Sequence, residues 1–249
     1  MTKVVALHGF TGSGQDFGPL QAALGPSFEI LSPDFPGHGT KVHLRQKEDY
    51  SLDAHLKTIS DVVQNDTVTL LGYSMGGRLA LHWALKNPSQ IQRLILIGAS
   101  PGLASTEEQN ERIRGDCALA HFIRTQGLDA FFKYWNTKTF FQPLLALNPA
   151  ILDPILQRRQ RNQPEALALS LENVGTGALP SLWHRLPECR FPVDLIVGEH
   201  DDKFIKIAYR MGEKIPRSRV SLIENCGHSV HLESPEDIAT LLQSTATGK

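Results

Sequence analysis

The stretch Leu70–Leu81, LLGYSMGGRLAL, constrains this chain more than any other. An apolar run of strand character ends in Gly-Tyr-Ser-Met-Gly and passes at once into a helical pattern. A backbone that turns from strand to helix in so few residues must hold its corner residue in a sparsely populated conformation. That residue is Ser74, and Gly72 and Gly76 remove the side chains that would clash around it. The serine is thereby held clear of the main chain at the tip of a sheet, where an activated base or nucleophile belongs. The pentapeptide alone is common by chance, and a tight turn with a bystander serine is its bland reading. The strand–helix junction gives it weight.

Such a corner needs a parallel sheet behind it, and the chain supplies the strands. The runs KVVAL (3–7), FEILSP (28–33), TVTLLG (67–72), RLILIG (93–98), VDLIVG (193–198) and RVSLIE (219–224) have the length and β-branched content of buried strands. Helical patterns lie between them at 16–24, 52–64, 75–87, 205–214 and 235–243, with Asn87-Pro88 as a stop and Ser234-Pro235 as a start. This alternation predicts an α/β fold, a mostly parallel sheet with helices on both faces. At 249 residues and 41% hydrophobic, the chain suffices for one sizeable core.

The alternation breaks at 101–192, which holds no convincing strand. EEQNERIRGDCALAHFIRTQG, LDAFFKYWNTKTFF and PAILDPILQRRQRNQPEALALSLENVG each read as helix. The expected organisation is a core from 1–100 and 193–249 with a helical cap at 101–192, together one functional domain.

Bulk properties exclude several roles. A net charge of -1 argues against a general nucleic-acid binder, whose affinity comes from many basic contacts. Cys117, Cys189 and Cys226 are odd in number and far apart, so free thiols in a reducing cytosol are expected. The apolar run in MTKVVALHGF is too short for a signal-peptide core, and no run approaches the ~18 apolar residues of a membrane span. The expectation is a cytoplasmic protein, monomer or weak dimer.

A serine reacts only if a base takes its proton and a third group orients that base. In this fold class the chain order is serine, acid, histidine. GEHDDKF places Asp201 just past the strand at 193–198, with Asp202 and Glu199 as competitors. ENCGHSVHLESP places His228 after the next strand, with Gly227 allowing the tight turn. His231 falls in the helix that follows and is read as packing. Backbone N–H donors for a developing anion are expected from Met75, at a helix N-terminus, and from Phe10 in LHGFTGSG. That glycine-rich loop lacks the Gly-Lys-Ser/Thr ending of a phosphate cradle. DFPGHG (34–39) is read as shaping the rim of the pocket.

Together these residues resemble the α/β-hydrolase superfamily along the whole chain, with the usual leading hairpin expected to be missing. LHGFTGSGQDF, GYSMGGRLAL, SPGL with a following ER, YW at 134–135, RNQPEALALSLENVGTGALPSLW and GEHDDKF are more narrowly similar to the 2-succinyl-6-hydroxy-2,4-cyclohexadiene-1-carboxylate (SHCHC) synthase family of menaquinone and phylloquinone biosynthesis. Several of these motifs lie in the cap. The resemblance implies a lyase that removes pyruvate from 2-succinyl-5-enolpyruvyl-6-hydroxy-3-cyclohexene-1-carboxylate, with the triad serine as the base. It implies no cofactor and no metal.

That substrate carries three carboxylates, which the planar fork of arginine binds well. By the resemblance, the carboxylate-holding residues are Arg78, Arg112 in NERIRGD and Arg159 in QRRQRNQ, with Arg158 and Arg161 as rivals for the last. Tyr73 and Trp135 carry over as pocket walls, against the plainer reading of packed aromatics. Two other functions stay open on the same fold: a carboxylester or carbon–carbon hydrolase working through a Ser74 acyl-enzyme, and a non-catalytic binding module.

Overall fold

The computed structural model describes residues 1–246. Strand β1 (Thr2–Leu7) is followed by a 3-10 turn (Gly14–Phe17), helix α1 (Gly18–Leu24) and strand β2 (Phe28–Leu31). Helix α2 (Leu52–Val63), strand β3 (Val68–Tyr73), helix α3 (Met75–Lys86) and strand β4 (Ile91–Ile97) complete the first half. Helices α4 (Thr106–Trp135), α5 (Gln142–Leu145), α6 (Pro149–Gln160) and α7 (Pro164–Val174) follow. The last part is strand β5 (Val193–Gly198), helix α8 (Asp202–Gly212), strand β6 (Ser218–Ile223) and helices α9 (Val230–Glu233) and α10 (Pro235–Ala246).

The six strands form one sheet in the order β2-β1-β3-β4-β5-β6, every neighbouring pair parallel. The six expected strands are all present. Side chains alternate between the faces of a strand, so each buried run feeds two cores. Val5, Leu7, Leu70, Leu94 and Leu195 pack on one face against α2, α3 and α8. Val4, Ala6, Leu71, Ile95 and Ile196 pack on the other against α1 and α10. Parallel strands share one C-terminal edge, so the loops after β1, β3, β5 and β6 meet there.

Between β4 and β5 the described residues form helices and loops, with no strand. Ser105 caps α4 and exchanges backbone and side-chain hydrogen bonds with Glu108 in a capping box. Gly127, at φ +76°, breaks α4 where the two sequence runs met. The run 149–175 is not one helix as the sequence suggested. It breaks at Arg161–Gln163, because Pro164 holds Gln163 extended (φ −113°, ψ 133°) and restarts the chain as α7. Similarly, 16–24 opens as a 3-10 turn before α1, whose first turn contains Pro19.

These helices bury cores of their own. Ala120, Ile123 and Phe131 of α4 pack on Leu167, Ala168 and Leu171 of α7, with Phe10 and Trp135 at the margin. Phe141, Leu144 and Ile155 pack on Leu232 of α9.

Candidate active site

Ser74 sits at φ 51°, ψ −109°, a strained conformation for a residue with a side chain. The surroundings over-determine it. Its N–H donates to Ile97 O at 2.9 Å, and its carbonyl accepts from Arg78 N–H at 3.1 Å. A Cβ on Gly76 would stand 2.2 Å from Leu7 O, and one on Gly72 would stand 2.6 Å from Gly76 O. Both glycines therefore let β3 and α3 close against the end of β1.

The loops after β5 and β6 bring the partners to this corner. His228 Nε2 lies 3.0 Å from Ser74 Oγ, and His228 Nδ1 lies 2.5 Å from Asp201 Oδ2. With Nδ1–H donated to the carboxylate, Nε2 is left to accept the serine proton. Asp201 also caps α8, accepting Phe204 N–H at 3.4 Å. Its competitors lie elsewhere: Glu199 is exposed and accepts from Asn225 N–H at 2.9 Å, and Asp202 is exposed. The imidazole is buried, with its backbone N–H on Phe140 O at 2.9 Å and the ring of Phe204 4.6 Å away.

Glu233 went unnoticed in the sequence and holds this loop. Its carboxylate accepts from the backbone N–H groups of Gly227 at 2.5 Å and Ser229 at 3.0 Å. Burial nevertheless raises its pKa above the ordinary value. An acid in a polar helix start carries no sequence signal for this role. His231 packs, as read from the sequence: it is buried against Tyr73 and Phe17, and burial pushes its pKa down to about 3.

A cavity of about 70 Å³ opens on Ser74 and is lined by Phe10, Met75, Arg78, Arg112, Trp135 and the face of α7 at Ser170. Met75 begins α3, so its N–H is among those with no partner inside the helix. Phe10 borders the same space, in the loop after β1. Arg78 lies one helical turn beyond Ser74. Its Nη2 makes a long contact of 3.4 Å to Val174 O, and its Nε is buried without a partner. Burial, followed by the nearby charge of Arg112, lowers its pKa to about 10, so it stays protonated at neutral pH. Arg112 donates from Nε to Asp116 Oδ1 at 2.8 Å.

The remaining expected residues do not all border that space. Tyr73 packs behind the triad, its hydroxyl 2.9 Å from Ser229 Oγ and its ring 5.3 Å from that of His228. It supports the histidine loop and does not line the cavity. Trp135 does, with its ring 5.9 Å from Phe10 and 5.4 Å from Phe131.

Arg159 borders a second cavity, of about 170 Å³, between the loop after β1 and the end of α6. It is 5% exposed, and neither Nε nor Nη1 has a hydrogen-bond partner. Its rivals Arg158 and Arg161 line the same cavity, but Arg158 is tied to Asp16 at 2.9 Å, and Arg161 is exposed. Asp34 and Gly39 of DFPGHG line this second cavity, and no residue of that segment lines the cavity on Ser74, whose rim it was expected to shape.

Among known proteins, the alpha/beta hydrolase family matches residues 4–241. A protein of Bacillus subtilis (strain 168) named "Putative 2-succinyl-6-hydroxy-2,4-cyclohexadiene-1-carboxylate synthase" is 41% identical over 93% of this chain and 85% of its own length. The 2-succinyl-6-hydroxy-2,4-cyclohexadiene-1-carboxylate synthase of Enterobacter sp. (strain 638) is 29% identical over 96% of this chain and 89% of its own. The solved structure of MenH from S. aureus superposes with a TM-score of 0.91 at 32% identity, covering 98% of this chain and 92% of that one.

Proposed function

The chain belongs to the alpha/beta hydrolase family, and within it we propose an SHCHC synthase, a carbon–oxygen lyase that eliminates pyruvate from 2-succinyl-5-enolpyruvyl-6-hydroxy-3-cyclohexene-1-carboxylate. The observation that carries this reading is the pairing of a serine-histidine contact at 3.0 Å with an arginine wall in the same cavity. Arg78 keeps a buried Nε with no partner, and a guanidinium left unsatisfied inside a protein is costly unless a ligand completes it. Neutral esters would leave it unpaired. Carboxylates would not.

The mechanism follows from the contacts. His228 Nε2 takes the hydroxyl proton of Ser74, and Asp201 steadies the imidazolium that forms. Ser74 Oγ then removes a proton from substrate carbon. The electrons left on carbon form the new ring double bond as the C–O bond to the enolpyruvyl oxygen breaks. The departing enolate takes up the proton held by His228 and becomes pyruvate, which resets the triad. The backbone N–H groups of Phe10 and Met75 stabilise the developing oxyanion. Arg78, Arg112 and Arg159 hold the substrate carboxylates, with Trp135 as a wall and Tyr73 behind the triad.

The segment 101–192 is read as a cap on a core of 1–100 and 193–249, excluding water from the intermediate. We place the reaction in the cytoplasm by the likeness to biosynthetic SHCHC synthases. Among the described residues no helix is long and apolar enough to cross a membrane. The test is coupled measurement of pyruvate release from the cyclohexene tricarboxylate beside phenyl-ester turnover. Pyruvate release with an unmodified protein mass during turnover is expected. An adduct of substrate mass on Ser74 would overturn the lyase in favour of acyl transfer.

A further inference from the structure

We propose that Asp116 is a positioning residue that aims Arg112 at the space above Ser74. What binds there rests on the lyase reading. The placement of Asp116 does not. Asp116 lies one turn beyond Arg112 on α4 and accepts the Nε–H at 2.8 Å. An i,i+4 ion pair on a helix is ordinarily a solvated surface feature of small worth. This one is lopsided: the aspartate side chain is 7% exposed and the arginine side chain 37%. The acid is rooted in the protein and the arginine reaches from it into the cavity.

A guanidinium held through Nε keeps Nη1 and Nη2, the pair that can grip a carboxylate end-on. Among the described residues the hydrogen bond through Nε is the one Arg112 makes to a side chain. The second carboxylate oxygen, Oδ2, faces Gly175 and has no side-chain partner among the described residues. Burial raises the carboxyl pKa, against the pull of Arg112, Arg78 and the backbone N–H of Gly177. A carboxylate this buried is expensive as structure alone. It is intelligible as a counter-charge that fixes one arginine and steadies a second before an anion arrives.

Gly175 fits the same purpose. Its φ of −56° suits any residue, so the backbone does not call for glycine. A Cβ there would stand 2.3 Å from Leu171 O and 2.5 Å from Asp116 Oδ2. The glycine leaves room for the Leu171 carbonyl and for the carboxylate together.

The experiment is calorimetric binding of the cyclohexene tricarboxylate in a Ser74→Ala background, with kcat and KM measured in the parent. Asp116→Ala should weaken binding about tenfold, the loss expected for one charge-assisted hydrogen bond, and Asp116→Asn should fall between, since it keeps an acceptor. The loss should appear in KM, with kcat within about twofold. Adding Asp116→Ala to Arg112→Ala should cost nothing further, because the aspartate acts through the arginine. A merely structural aspartate would give additive losses, and that result overturns the inference. So does unchanged binding, or tighter binding, which would make Asp116 a competitor of the ligand. If Asp116→Ala does not fold, the Asp116→Asn series with Arg112→Ala decides in the same way. If the substrate binds but the parent releases no pyruvate, the lyase reading falls while the binding series still judges Asp116. If it does not bind, the lyase reading falls, and a crystal structure of Asp116→Asn judges the placement alone: Arg112 unmoved above Ser74 overturns it.

Discussion

The corner of the sheet and the arginine wall facing it differ in one respect: the corner is complete and the wall is not. Ser74, His228 and Asp201 satisfy one another, and Glu233 and the carbonyl of Phe140 hold the loop that carries the histidine. Across the cavities, Arg78 and Arg159 keep buried nitrogens with no partner. Proton-transfer geometry must be in place before substrate arrives, so its cost belongs in the fold. Carboxylate recognition gains by staying unsatisfied until the ligand completes it. Loss of a corner residue should therefore damage chemistry, and loss of a wall residue should damage recognition.

The largest effect should come from the corner. Ser74→Ala and His228→Ala should each lower kcat by several orders of magnitude, and the double variant should lose little more, because the residues act as one unit. Additive losses in steady-state kinetics would separate the two residues and break the contrast.

Next come the arginines. Arg78→Ala, Arg112→Ala and Arg159→Ala should each cost on the order of tenfold to a few hundredfold in kcat/KM on the tricarboxylate. Arg78→Lys should recover only part, since it keeps the charge and loses the fork. Phenyl-ester turnover should hardly respond. If all three alanine variants stay within about twofold on the tricarboxylate, the wall recognises nothing and a generic ester hydrolase is the better reading.

The two regions also differed in how much of them could be read from sequence. The corner was legible because its causes are local. Gly72 matters through backbone clashes with Gly76 and Gly77 a few residues on. The Gly-x-Ser-x-Gly frame marks Gly76 even though its clash is with Leu7 of β1, and Asp201 and His228 follow strands whose apolar runs are plain. The wall was legible by resemblance more than by physics. Nothing in QRRQRNQ says that Arg158 turns to Asp16, that Arg161 stays in water, or that Arg159 borders a different cavity from Ser74. Those outcomes depend on how α6 packs on the loop after β1, which is not a local property. Pro164 did mark the break between α6 and α7. Its effect on Gln163 is local, and apolar content on both sides masked it. Glu233 was invisible because its partners are backbone amides of a loop shaped by the whole β6–α9 connection.

Acid should damage the fold behind the corner in a defined window. Burial lowers the pKa values of His8 and His38, brings those of His55 and His82 to about 4, and that of His231 to about 3. In the unfolded chain these groups titrate near 6.5. Between about 6.5 and 4 the unfolded state then binds protons that the folded state refuses, so stability must fall as pH falls. Each histidine contributes up to about 1.4 kcal/mol per pH unit in that window. Denaturant unfolding at several pH values measures the slope, and His55→Gln should flatten it. A stability that is level from pH 6.5 to 4.5 would contradict the burial of these rings.

The smallest effect should come from the outside of the helices that carry the wall. Arg124 of α4 bonds Glu165 of α7 at 2.7 Å and Glu172 at 2.5 Å, a display that looks like the clasp keeping Arg112 and Asp116 opposite α7. Physical weight lies elsewhere. The groups are about a third exposed, so water and salt screen them, and exposed pairs contribute at most about 1 kcal/mol each. Inside the same contact, Ala120, Ile123 and Phe131 are buried against Leu167, Ala168 and Leu171. Burying one Leu or Phe side chain is worth about 1.5–3 kcal/mol, and these are several. Arg124→Ala should thus lower Tm by a few degrees and leave kcat/KM on the tricarboxylate within about twofold. Ile123→Ala, which opens the packed interior, should cost more stability than the loss of both bridges. A tenfold fall in kcat/KM for Arg124→Ala at unchanged Tm would mean that the surface charges, and not the core beneath them, set the position of the wall.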